Sequence, residues 1–180
     1  DKHTLTLDLA EGAHKLTVTP DNQDLYIKSI TLVSETEPIS YGEYAASHKD
    51  AAESNGLYVA EGEKYSAKSD AYIRSSAVKN AALKPYSTYT KKINVLDGST
   101  WSSVGQTVAW EINVKETGLY ELGMRYSLTG NAGKASYRSL KIDGALPFAE
   151  CASLAVTGSG NGYGNFVFSA ENGTPYEFYL

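Results

Sequence analysis

The sequence predicts an all-β chain, folded as an antiparallel β-sandwich with one short linker helix at about residues 41–54. Three observations carry that prediction. Apolar residues alternate with polar ones along most of the chain, the period of a strand with one buried face. Turn-forming pairs such as Asp143-Gly144 and Asn172-Gly173 fall between those runs at short intervals. One stretch, 40–56, breaks the alternation with helical spacing instead.

Leu5, Leu7 and Leu9 alternate with Thr4, Thr6 and Asp8, and Glu11-Gly12 turns the chain into a second strand with Leu16 and Val18. Pro20-Asp21-Asn22 turns it again into Leu25–Val33, where the phase slips at Ser29 as a bulge allows. Ser40 and Glu43 then stand at capping-box spacing. Tyr41, Tyr44, Ala45, His48 and Ala52 share one helical face, and Asn55-Gly56 supplies the stop. Leu57–Glu63 reads as a strand, and 64–92 as irregular. Val108, Trp110, Ile112 and Val114 form the clearest expected buried face. Glu116-Thr117-Gly118 turns into a strand through Tyr120, Leu122, Met124, Tyr126 and Leu128. Leu140 with Ile142, Phe166 with Phe168, and Tyr176 with Phe178 and Leu180 follow as further strands. Many short strands with one helix mean a sandwich.

This divides the chain into residues 1–33, a helical connector 34–56, and a main sandwich 57–180. Tyr176–Leu180 has no later strand to pair with. Residues 1–33 are therefore expected either to close a preceding module or to complete the main sheet in permuted order. An uncovered edge invites aggregation.

Composition excludes several classes. Net charge is -5, and Lys91-Lys92 is the only adjacent basic pair, so no nucleic-acid footprint is expected. No apolar run is long enough for a helix to enter a bilayer. Cys151 stands alone, which excludes an internal disulfide or a cysteine zinc cage. The chain opens at Asp1-Lys2-His3 without a charged-then-apolar leader, so any export signal is expected outside these residues. Tyr is over-used, 14 against 4 Phe, which suits half-wet surfaces.

Candidate sites are few. Glu61 and Glu63 sit two apart, so on a strand they share a face, and hard oxygens on one face suit a structural calcium. A solvated acidic face is the alternative. His3, His14 and His48 show no metal spacing. No nucleophile–base pair can be assembled, so no enzyme is expected. Gly158–Gly164 lacks the Lys-Ser/Thr of a phosphate loop and reads as a flexible loop. Tyr163 stands among those glycines, and Trp101 follows the polar Asp97-Gly98-Ser99-Thr100. Both are candidate sugar-stacking rings, unless Trp101 caps the core.

The run Gly105–Val114, Glu116–Tyr126 and Leu140–Gly144 resembles the central strands of galactose-binding-like carbohydrate-binding modules, families six and thirty-five being the nearest type. Tyr58–Glu63 resembles their opening acidic strand. Leu25–Leu32, Ser40–Tyr44, Arg74–Ser76, Pro85–Ser87, Asn94–Gly98, Trp101 and Ile142–Phe148 are similar to modules of extracellular solute-binding proteins linked to ABC transporters in Firmicutes. The resemblance implies a jelly-roll sandwich, a cell-surface or secreted location, a saccharide partner, neighbouring domains on the same polypeptide and often a structural calcium. It also implies that Asn131, Tyr137 and Arg138 lie beside the ligand loops. Arg138 paired with Asp143 or Glu121 is the alternative. Two functions follow: a saccharide-binding module, or a spacer that docks through the Tyr41/Tyr44/His48 face.

Overall fold

The computed structural model describes residues 7–19, 26–30, 32, 37–128, 135–160 and 162–180. The chain separates into two compact units, Asp1–Thr36 and Glu37–Leu180.

In the first unit every described residue is exposed and none lies in a strand. The strands expected through Leu7–Leu9 and Leu16–Val18 are therefore not formed there, and the described part of Leu25–Val33 gives no strand either. Alternation supplies one apolar face, but a strand also needs a ladder partner for its backbone groups. His14 Nε2 lies 2.7 Å from the Ala10 carbonyl oxygen, a local contact.

The regular elements of the second unit are mostly strands, with a single α-helix among its described residues. The helix, α1 (Tyr41–Ser47), forms where the capping box places it. Ser40 Oγ accepts from Glu43 N, and Glu43 Oε2 accepts from Ser40 N at 2.9 Å. The Ser40 hydroxyl, which also donates to Glu43 Oε2 at 2.7 Å, and the Ser40 N–H hold the Glu43 carboxyl below its ordinary range. Glu150 Oε2 accepts from Tyr41 N at 2.9 Å, satisfying another of the helix's orphan donors. The helix ends at Ser47 rather than near 54, with His48 as C-cap. His48 Nδ1 lies 2.9 Å from the Tyr44 carbonyl oxygen.

The strands are short. They are β1 (Ala67–Lys68), β2 (Ser75–Ser76), β3 (Val95–Leu96), β4 (Val108–Ala109), β5 (Leu119–Glu121), β6 (Gly123–Tyr126), β7 (Ser136–Arg138), β8 (Leu154–Val156), β9 (Gly164–Val167) and β10 (Glu177–Tyr179). They pair antiparallel as β1–β4, β2–β3, β5–β10, β6–β9 and β7–β8. Leu122 joins β5 to β6, and its carbonyl accepts from Phe168 N at 3.0 Å. The extended run 119–126 thus meets β10 along its first half and β9 along its second. Between β9 and β10, Tyr176 N donates to Phe168 O at 2.8 Å, closing a hairpin around Asn172-Gly173. Gly173 takes φ +84°, the left-handed region that favours glycine.

Two expected strands depart from their pattern, the first by not forming and the second by shortening to β4. Leu57–Glu63 is not a strand, and Leu57 is 88% exposed. Lys64 N donates to Glu61 O at 2.9 Å, so Gly62 and Glu63 form a turn. The expected buried face around Trp110 is only half-buried, and Ile112 is exposed. The largest fully buried side chains among the described residues are instead Phe148, Phe178, Ile73 and Cys151. Phe148 anchors the main cluster with Cys151, Leu154, Phe168, Tyr176 and Phe178. Tyr41 and Tyr44 pack against it, with the Tyr41 ring 4.9 Å from Phe148 and 4.6 Å from Tyr176.

That packing closes the open strand edge. Leu180 and Gly118 exchange both backbone bonds at 3.0 Å, so β10 turns one edge toward β5. On its other edge, Glu177 N donates to Tyr41 Oη at 3.1 Å and Tyr179 N to Tyr44 Oη at 2.9 Å. Two side-chain hydroxyls stand where a further strand would pair. The helix face expected to dock a partner is therefore already used within this unit.

Candidate ligand-binding site

Trp101 follows a short 3-10 turn, Gly98–Thr100, that the local sequence builds by side-chain capping. Asp97 Oδ1 accepts from Ser99 N at 3.0 Å and from Ser99 Oγ at 2.7 Å, which holds its carboxyl below the ordinary range. The buried Thr100 ties the turn to the β2 entry. Arg74 N donates to Thr100 Oγ1 at 3.0 Å, and that hydroxyl lies 2.8 Å from Asp97 O. The turn is thus rigidly set, and Trp101 with it.

The Trp101 indole Nε1 donates to Gln106 O at 3.3 Å. Its ring meets Trp110 edge-on, centroids 6.5 Å apart at 74°. Arg138, from β7, places its guanidinium 5.3 Å from the Trp101 ring centroid, within cation–π range. Arg138 Nη1 also donates to the Tyr137 carbonyl at 2.8 Å. Neither Asp143 nor Glu121 pairs with it; among the described residues the recorded ion pair is Lys49–Asp50, 3.9 Å apart.

Of the expected ligand residues, Trp101 and Arg138 come together. Tyr137 does not join them through its side chain. On β7 it stands opposite the exposed Ala155, whereas Arg138 stands opposite the buried Leu154. Strand alternation sends the two side chains to opposite faces. Tyr137 is 63% exposed. Tyr163 is half-buried, and that burial pushes its hydroxyl pKa upward. Its loop is knit rather than free: Ser159 Oγ donates to Gly162 O at 2.7 Å and accepts from Leu128 N at 2.8 Å. No ring contact links Tyr163 to Trp101 among the described residues. Asn131 and His3 lie outside the described residues.

Glu61 and Glu63 do not share a strand face, because both belong to the turn closed by Lys64. Glu61 is exposed, while Glu63 Oε2 is buried with no hydrogen-bond partner. Among the described residues no three His, Cys, Asp or Glu side chains converge as metal ligands. The expected pair therefore does not converge on a cation, and Glu63 Oε2 stands as a buried acceptor without a partner.

The sequence reading missed Trp110 as a site residue. Alternation assigned it to the core, yet it stands against Trp101, and its Nε1 is a buried donor without a partner. The available signal was composition: the chain has two Trp, and they are in contact.

No family model, curated protein or solved structure matches this chain.

Proposed function

We propose that this chain is a non-catalytic carbohydrate-binding-type module of a secreted or surface-anchored bacterial protein linked to ABC-type sugar uptake, built as a galactose-binding-like jelly-roll sandwich. One observation carries it: Trp101, Trp110 and Arg138 gather two indoles and a guanidinium at a rigidly capped turn. Sugars offer an apolar ring face bordered by hydroxyls, and an indole beside a five-donor fork complements both. The non-catalytic part rests on the side chains that chemistry would need. His14 and His48 contact backbone carbonyls, and burial pushes the Cys151 thiol up to about 11, away from nucleophilic use.

A spacer without a ligand is the second reading, and a specific observation favours it. Trp101 already spends its N–H on Gln106 and a face on Arg138, as a structural cluster would.

A glycan array separates the two. Binding that Trp101→Ala and Arg138→Ala abolish, with folding kept, supports the module; absence of any hit on a broad array leaves the spacer. Calcium enters through Glu63 alone. Its addition should raise the melting temperature of the native chain and leave Glu63→Gln unmoved, and equal responses would remove the ion from the proposal.

A further inference from the structure

The loop between β2 and β3 carries charge of one sign. No acidic residue falls between Asp70 and Asp97, whereas Arg74, Lys79, Lys84, Lys91 and Lys92 all do, in a chain of net charge -5. Along the sequence only Lys91 and Lys92 are adjacent, and the fold brings a third lysine to them. Lys79, Lys91 and Lys92 line one small pocket together with Tyr86, Ser87 and Thr90. The loop is held in shape from within. Asn94, only 7% exposed, donates from Nδ2 to Val78 O at 3.0 Å and to Pro85 O at 3.1 Å. Its Oδ1 accepts from Val78 N at 2.9 Å.

Those bonds decide which chemistry is left over. The Val78 and Pro85 carbonyls and the Asn94 side-chain oxygen are already engaged. Lys79 Nζ donates to Thr88 O at 3.5 Å, which sets its ammonium beside the 87–90 turn. Ser87 Oγ accepts from Tyr89 N and Thr90 N and keeps its own proton to donate. No carboxylate lines the pocket, and none of the three lysines has an ion-pair partner among the described residues. What remains is rich in donors and wholly positive, which suits an oxyanion. The pocket measures about 10 Å³, room for one oxygen of a ligand. A group that seats one oxygen there and offers others to the exposed lysines meets both conditions. Three ammonium groups favour a dianion over a monoanion. We propose that this pocket binds a phosphate group, free or as a monoester, with one oxygen at the Ser87 and Thr90 hydroxyls and the others facing the lysines. The site shares no residue with the Trp101 cluster, and its fate does not depend on the saccharide reading.

The probes are inorganic phosphate and glycerol 3-phosphate, set against acetate and chloride, titrated into the whole chain at constant ionic strength under amide-resolved NMR. Phosphate should give saturable shifts at amides within 77–94. Its Kd should lie in roughly the millimolar range, because exposed charge pairs each contribute little. Binding of both phosphates assigns the monoester, and binding of the inorganic ion alone assigns free phosphate. Lys79→Gln and Lys91→Gln should each weaken binding about threefold. Lys84→Gln, in the same segment but off the pocket lining, should leave it unchanged. Affinity should rise as the second phosphate proton leaves, near pH ~6 for an ester, while the lysines stay charged. The proposal is overturned if neither phosphate saturates these amides, or if acetate or chloride does so at the same concentrations. It is equally overturned if Lys84→Gln weakens binding as much as Lys79→Gln, since the whole segment would then act only as a diffuse positive field.

Discussion

Residues 7–18 and residues 166–178 carry the same kind of alternation, yet they end in opposite conditions. Leu7, Leu9, Leu16 and Val18 are all exposed and outside any strand. Phe168, Tyr176 and Phe178 are buried, and the strands around them pair with 119–126 in fixed register. The difference lies in what meets each segment. The C-terminal segment has a ladder partner on one edge, tyrosine hydroxyls on the other and an aromatic cluster beneath. Alternation states only that a face is available for burial; pairing decides whether it is used.

The comparison breaks most visibly at Phe178, which is 1% exposed and stacked on Phe148 at 5.5 Å. Phe178→Ala should cost about 3–5 kcal/mol in urea unfolding. Leu16→Ala, at a side chain 59% exposed, should stay within about 0.5 kcal/mol. Equal losses would mean that the N-terminal face is buried in solution.

A smaller effect tests the edge. Tyr41→Phe and Tyr44→Phe each remove one acceptor from a β10 N–H while keeping the ring in the core. Each should cost about 1 kcal/mol. The double variant should also self-associate more readily than the native chain in sedimentation, because its strand edge is open. A double variant as monomeric and as stable as the native chain would show that the hydroxyls are incidental.

The smallest effect concerns the cap. Hydrogen bonds from Ser40 lower the Glu43 pKa, so Glu43 is charged and bonded at neutral pH. A depressed carboxylate contributes stability above its unfolded value and loses it as pH falls through the folded one. Native melting temperatures should therefore fall further than those of Ser40→Ala as pH drops through the carboxylate range. Parallel curves would mean that the cap contributes nothing measurable.

What the sequence made legible was local chemistry. The Ser40/Glu43 box and the turns at Asp143-Gly144 and Asn172-Gly173 need only neighbours along the chain, and all three form. Gly62 was itself a turn signal, and reading through it put Glu61 and Glu63 on one face of a strand that does not exist. Trp101 and Arg138 could each be named as candidates. Their meeting depends on where β7 lies relative to the turn after β3, which no local pattern encodes. Trp110 was hidden for the same reason: a ring that supports a site and a ring that fills a core show the same periodicity.

The tyrosine seam has a mechanical consequence. Tyr41 and Tyr44 stand near the start of the second unit, and Glu177 and Tyr179 stand near its end. Tension applied between residues 37 and 180 would load this seam together with the Leu180–Gly118 and Ile39–Ala149 backbone bonds. The same two hydroxyls that shield the strand edge at rest would thus be among the first bonds loaded when the chain is pulled.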